Sequence, residues 1–417
     1  MAIPDYLIVG AGLAGLYTAL KIKEAKPEAS IQIIEKYNYI GGRVVTHRHK
    51  DSGQMHQWEI GAGRIHKSHS LVRSLMRRYG LTWAPISDSA LFQAHDGAPL
   101  TPNRFNELAR AVLGPLQCLS SDTLARHTIE ELLLKFHDHD TVDRFLGHFP
   151  YRAEVTVMRA DAAIKELLAP EGVSGDNFGV CKEGLDRIVA GLASELVSLG
   201  VPIHLGHTLV SAQGTHLIVR TGGQLKEMSG NTVVLALHAK AMKSIQGLSG
   251  WPLLRQLIMC PLLRTYAVYP EPWFHEAPFN GQKIVFGSNP VRYFIPIDRH
   301  TAMCSYTDAG DTSPWMTDAE VAPKRLSRRI HQALRRALPR TRIPNPTYFK
   351  AHPWSAGCTY WSPVPVGTAI KTPEELSKSA LEFAPNVYVC GESFSADKQT
   401  WMEGALEHAD MLLKHML

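Results

Sequence analysis

Hydrophobic and polar positions alternate along the chain in two distinct rhythms. Short apolar runs of strand length stand at Asp5–Val9, Ser30–Ile34, Val201–Leu205, Thr208–Val210 and Asn231–Leu237, the pattern of strands buried on both faces. Between them lie helical spacings. Leu16–Ile22 continues directly from the first run, Ser70–Tyr79 sets Leu71, Leu75 and Met76 against Arg73, Arg77 and Arg78, and Gly184–Leu199 carries Leu185, Ile188, Val189 and Leu192 on one face. Pro102–Leu113 and Ser120–Phe149 read as further helices, suited to a helical lid. From Leu254 to Val366 the chain turns aromatic and strand-rich, with alternation in Leu262–Tyr269 and Tyr293–Ile297, the signature of an antiparallel sheet, and Ala319–Leu338 predicts a charged helix outside it.

The first fifteen residues carry the sharpest motif. The run ending at Val9 passes without a gap into Gly10-Ala11-Gly12-Leu13-Ala14-Gly15, and a helix follows. Strand, glycine turn and helix in this order form a dinucleotide-binding unit: Gly10 for the tight turn, Gly12 for close approach of backbone to a pyrophosphate, Gly15 for packing of helix on strand. Free N–H groups at the helix start, over Leu13 and Ala14, suit phosphate oxygens. The second strand ends at Glu35, about twenty residues on, where a ribose-binding acid is expected. An acid there favours an unphosphorylated ribose, hence FAD or NAD. Lys36 follows, and then Gly41-Gly42-Arg43, a turn able to approach a ligand with a forked cation beside it. A solvated glycine turn is the plain alternative. Trp58-Glu59-Ile60-Gly61-Ala62-Gly63-Arg64 offers another glycine-rich approach ending in an arginine.

Composition narrows the class. At 417 residues, 45% hydrophobic and 20% charged, the chain has the length of two domains and the composition of a globular protein. A net charge of +5 gives no argument for nucleic acid. Six cysteines without paired spacing suggest reduced thiols and a cytoplasmic setting, and neither end reads as a targeting peptide or membrane anchor. His137-Asp138-His139-Asp140 has metal-ligating residue types, but its spacing in a polar stretch reads as surface, so no metal is expected.

The glycine motif, the ribose acid, the GGR turn and the E-x-G-A-G-R segment together resemble the flavin-containing amine oxidase family, which takes in monoamine, polyamine and L-amino-acid oxidases. The C-terminal end extends the resemblance: Val387–Val389 leads into Cys390-Gly391-Glu392, and Trp401-Met402-Glu403-Gly404-Ala405 follows, similar to the family's second flavin-contact motif. The resemblance implies an α/β fold, an FAD-binding Rossmann-like domain (1–75, 175–250 and 375–417) with an inserted α+β substrate domain (76–174 and 251–374). It implies a flavin site formed by Gly10, Gly12, Leu13, Ala14, Gly15, Glu35, Lys36, Gly42, Arg43, Gly61, Ala62, Gly63, Arg64, Gly391, Glu392, Trp401, Met402 and Ala405. It also implies that the strand near Val210 returns to the flavin sheet, with Val210 meeting adenine through its backbone; a plain core valine is the alternative.

For the chemistry, the resemblance places Trp401 at one wall of an aromatic cage and Trp354, Tyr360 and Trp361 in the segment supplying the other. Arg64 matches the L-amino-acid oxidase version, in which an arginine grips the substrate carboxylate; a flavin phosphate or Glu59 are its other candidate partners. Arg264 stands where many members place a lysine that holds a water beside the flavin, and arginine cannot act as a base there. Cys358 falls near the position of covalent flavin attachment in monoamine oxidases but lacks their following aromatic residue. Non-covalent FAD with a buried thiol is therefore expected, a thioether being the alternative. The expected function is oxidative deamination of an L-amino acid with O2 as acceptor and hydrogen peroxide as product. Alternatives are a monoamine or polyamine oxidase, a flavin-binding dehydrogenase or non-catalytic flavoprotein, and an NAD-dependent dehydrogenase, in which the C-terminal motifs would have no role. The partners implied are a small amine or amino acid and O2, and a homodimer is compatible.

Overall fold

The computed structural model describes residues 3–51, 53–168 and 177–417, so the domain boundary placed at 174/175 lies outside the described residues. A six-stranded sheet forms the first half of the α/β architecture. Its strands run in the order Ile203–His204, Ile31–Ile34, Tyr6–Val9, Thr232–Leu235, Val387–Val389 and Glu382–Ala384, parallel except for the last. The first strand shows why its sequence is apolar throughout. Tyr6 and Ile8 face one core, Leu7 and Val9 the other, and all four are buried. Helices Leu13–Ala25, Asp186–Ser198 and Met402–Met416 cover the first face.

On the other face lies a separate three-stranded antiparallel sheet: Thr208–Gln213, His216–Thr221 and Gln224–Ser229. This corrects the expectation for Thr208–Val210, which does not join the flavin sheet; Ile203–His204 does. Val210 sits at a register shift of the small sheet, and its carbonyl accepts from the Gln246 N–H.

The second half is a seven-stranded, mainly antiparallel sheet ordered Tyr348–Trp361, Leu257–Val268, Thr301–Asp308, Tyr293–Pro296, Lys283–Phe286, Ala90–Gln93 and Thr101–Pro102. Helices Phe105–Leu113, Ile129–Phe136, His139–His148 and Ala160–Leu168 share one apolar core with it. Asp138 caps the third of these by accepting from Thr141 N–H, which gives the His-Asp repeat a structural use. The stretch predicted as one helix over Ala319–Leu338 is two, Met316–Val321 and Pro323–Ala337. Pro323 has no N–H to continue the first and a fixed φ suited to open the second.

Gly10 and Gly15 hold the opening turn together. Gly10 has φ +108°, and a Cβ on it would meet the Ala236 carbonyl at 2.6 Å; a Cβ on Gly15 would stand 2.0 Å from the Gly10 carbonyl. The chain's far end reinforces this region. Glu403, fully buried at the start of the last helix, accepts from Leu71 N–H and Val72 N–H at 2.9 Å each and so caps helix Ser70–Arg78 from a distance. Glu403→Ala would leave one buried donor, Val72 N–H, and one part-buried donor, Leu71 N–H, without that partner and is expected to cost about 1–3 kcal/mol, read as a lowered denaturation midpoint. Ser74→Ala, exposed on the same helix and away from Glu403, is expected to leave that midpoint almost unmoved; equal losses for the two would refute the capping role.

Candidate functional site

A cavity of about 1150 Å³ runs between the two halves, and its walls collect most of the residues singled out in the sequence. Gly10, Gly12, Leu13, Ala14, Glu35, Lys36, Gly42 and Arg43 line one part; Gly61, Ala62, Gly63, Arg64, Gly391, Glu392, Trp401, Met402 and Ala405 line the part towards the second sheet. Gly15 and Val210 are not on the wall. Gly12 fits the part of a cradle: it faces the cavity, and a Cβ there would meet nothing within 4 Å, so only its missing side chain leaves that space to a ligand. Leu13–Ala25 points its N-terminus at the same space. Glu35 is held by two backbone donors, Ala11 N–H at 2.8 Å and Tyr37 N–H at 3.0 Å.

The two ends of the chain meet at Arg43. Its guanidinium donates to the Glu392 carboxylate at 2.8 Å and to the Gly357 carbonyl at 2.7 Å. Glu392 also accepts from Thr359 N–H at 3.0 Å and Thr400 N–H at 2.8 Å. Burial works against its ionisation, but the Arg43 charge and these donors outweigh it and hold the carboxyl below its ordinary range. The glycine turns at both ends and the strand Tyr348–Trp361 are thereby fixed to one another around the cavity.

Beyond this junction the cavity widens into an aromatic chamber. Arg64 lies over three rings, 4.9 Å from Phe178, 5.1 Å from Tyr151 and 5.4 Å from Trp401. It makes no hydrogen bond or ion pair among the described residues. Glu59, one of its sequence candidates, spends its carboxylate on Thr46 and the Leu185 N–H. Trp401 stacks on Phe178 at 5.5 Å and 19° and donates its indole N–H to Glu166 at 3.0 Å. Trp354 donates to the Ile60 carbonyl at 2.7 Å and also lines the cavity, as does Tyr360. Trp361 does not: it is fully buried behind them, bonded to the Ser395 carbonyl at 3.0 Å. Arg264 reaches the chamber over Tyr306 at 5.6 Å, and its Nε has no partner among the described residues. Cys358 lines the cavity as a free thiol that burial pushes up to about 12, far from thiolate.

Several wall residues were not singled out from sequence as site residues: Tyr151, Tyr293, Tyr306 and the acid Glu154, with Glu166 near it on the wall of a smaller cavity. Burial is the first cause raising both carboxyls; the neighbouring Glu166 adds to the shift at Glu154, whereas the Trp401 hydrogen bond and Arg64 restrain Glu166, which stands at about 7. Alternation marked Tyr293 as strand, but nothing in Y-R-A-E-V-T distinguishes Glu154 from a surface helix acid.

Comparison with known proteins agrees with this geometry. The solved structure of cyclohexylamine oxidase from Brevibacterium oxydans IH-35A superposes with a TM-score of 0.74 over 100% of both chains at 16% identity, and a putrescine oxidase variant with 0.75 over 99% of both at 15%. Sequence relatives are matched only in part. The flavin-dependent L-tryptophan oxidase RebO of Lentzea aerocolonigenes is 31% identical over 131 residues, 30% of this chain and 26% of that protein. An L-amino-acid oxidase of Mus musculus is 39% identical over 75 residues, 18% of this chain and 11% of its own length. Among the described residues no helix is long and apolar enough to cross a membrane. The model of the flavin containing amine oxidoreductases matches residues 13–410, and the chain belongs to that family of amine-directed oxidoreductases.

Proposed function

We infer that the protein is an FAD-dependent oxidase that deaminates an L-α-amino acid, with FAD held non-covalently. The observation that carries this is Arg64: a guanidinium inside the chamber, steadied by three rings and unneutralised by any carboxylate bonded to it. A planar fork so placed suits a substrate carboxylate. The partial matches to L-amino-acid and L-tryptophan oxidases point the same way.

When bound, FAD supplies the hydride acceptor, taking hydride from the carbon that bears nitrogen and passing electrons to O2 to give hydrogen peroxide. The imino acid then hydrolyses to a 2-oxo acid and ammonia. The chain's part is to bind and orient. Arg64 fixes the carboxylate, Trp401, Tyr360 and Trp354 wall the slot against water, and the Gly12 turn, Glu35 and the Arg43 region seat the dinucleotide. Arg264 is always charged and serves as a fixed cation, not a base. Amine oxidation without a carboxylate grip is the second reading, favoured by the acid Glu154 on the same wall and by the fold shared with two amine oxidases.

Arg64→Ala is expected to raise the apparent substrate constant for an L-amino acid by roughly 30-fold or more, since loss of a buried charged contact costs about 2–5 kcal/mol. The matching decarboxylated amine should be affected far less; equal losses would overturn the carboxylate role. Trp401→Ala is expected to slow anaerobic bleaching of the flavin band by substrate while the purified protein stays yellow. Colourless protein would reassign Trp401 to cofactor retention.

A further inference from the structure

Amine oxidation by hydride removal requires a neutral amine, whereas amines and amino acids arrive at neutral pH as ammonium ions, so some group must take a proton. Arg264 and Arg64 cannot accept one, Cys358 and the chamber tyrosines are protonated, Glu59 is bonded to Thr46 and the Leu185 N–H, and Lys283, lowered to about 8 chiefly by burial, is paired with Asp88 at 3.7 Å. Glu154 is placed differently. It projects from the short helix Ala153–Thr156 onto the cavity wall, and its Oε2 is fully buried with no hydrogen-bond partner among the described residues. A buried acceptor left open towards a ligand cavity calls for a donor from the ligand.

Glu166, from helix Ala160–Leu168, stands electrostatically next to it and opens the other way. It lines a second, smaller cavity of about 460 Å³ that contains Lys165 and Asp161, and Trp401 forms part of the wall of both cavities. The two carboxyls thus stand one on the chamber wall and one on the wall of a second space that also carries Lys165, Asp161 and Asp397.

We propose that Glu154 receives the substrate's ammonium proton, and that Glu166 passes the proton on towards the smaller cavity. An N–H bond of the ammonium breaks, its electron pair stays on nitrogen as the lone pair needed for hydride departure, and an O–H bond forms on Glu154. No oxidant or reductant enters this step. The assignment rests on the chamber being where the amine is oxidised, but holds whether or not Arg64 grips a carboxylate.

The charged and titratable groups facing Glu154 are Arg64, Glu166, Asp308, Tyr151 and Tyr360. Burial holds both tyrosines protonated, raising Tyr151 and placing Tyr360 well above the usual phenol range, and Arg64 stays charged; burial also raises the three carboxyls, Glu166 and Asp308 to about 7 and Glu154 above its ordinary range. The test is the rate of anaerobic flavin bleaching from pH 6 to 10 with one L-amino acid and, separately, its decarboxylated amine. In Glu154→Gln the rate at pH 7 is expected to fall about 100-fold or more, the usual worth of a positioned base. The deficit should shrink to less than about tenfold at pH 10, where the free amine is already abundant. Glu166→Gln removes both the neighbouring negative charge and the proton's next carrier, so the acid limb of the profile should move to lower pH and the plateau should fall. That arm decides the matter alone if Glu154→Gln does not retain flavin. A deficit in Glu154→Gln equal at pH 7 and 10, no deficit at pH 7, or an unmoved acid limb in Glu166→Gln would overturn the proposal. Because both substrates carry an ammonium, failure of the carboxylate reading shows as equal sensitivity of the two to Arg64→Ala and leaves the Glu154 profile unchanged.

Discussion

The cavity depends on one buried ion pair. Arg43 and Glu392 lie 349 residues apart in sequence, and their 2.8 Å contact joins the turn after the second strand to the loop before the last helix. Burying two charges is costly, and a pair survives only where further hydrogen bonds satisfy both partners. Here they do. Arg43 also bonds the Gly357 carbonyl, and Glu392 takes two backbone donors and the Thr359 hydroxyl. Every one of these partners belongs to the wall of the cavity or to the strand that forms it, so the ion pair fixes the spacing between the dinucleotide sheet and the aromatic sheet. Replacing it with apolar residues would lose this directionality even where it preserved stability.

The chamber follows a different logic, with charge held by aromatic faces. Arg64 and Arg264 rest on rings, not on carboxylates, and ring faces stabilise a cation without neutralising it. A guanidinium so held is ordered before a ligand arrives, which lowers the entropic cost of binding an anion. Trp401 shows the same economy: stacked on Phe178 and bonded to Glu166, its ring has little freedom left and can serve as a fixed wall.

How much of this was legible in sequence depends on whether a residue's role is local. The glycine turn and Glu35 act through backbone shape and a fixed offset, and both read directly from the first thirty-five residues. Glu392 and Trp401 were found only because a second motif sits at the far end of the chain. The break at Ala322 was missed because apolar spacing continues across Pro323, and the separate small sheet was missed because Thr208–Val210 has the same buried pattern in either sheet. Glu154 and Tyr151 left no signal at all. They come from the helical layer, where an acid in a four-residue helix and a tyrosine just before that helix look like surface, and only the packing of that layer onto the second sheet turns them inward.

That origin bears on how the reaction is divided within the molecule. The dinucleotide half and the strands beside it bring glycines, cations and rings to the cavity but few groups able to exchange protons near neutral pH. Glu59, raised by burial to about 7, and Lys283, lowered by burial to about 8, are exceptions, the first bonded to Thr46 and the Leu185 N–H and the second paired with Asp88. Glu35 and Glu392 are likewise occupied, by backbone donors and by Arg43. Arg264 sharpens this lack, because its guanidinium stays charged and cannot act as a base. On the proposal above, proton exchange with the substrate falls to the helical layer, which supplies Glu154 to the chamber and Glu166 to the smaller cavity. On that proposal the helical layer, packed onto the second sheet and not onto the glycine turns, decides which amines lose a proton in the chamber.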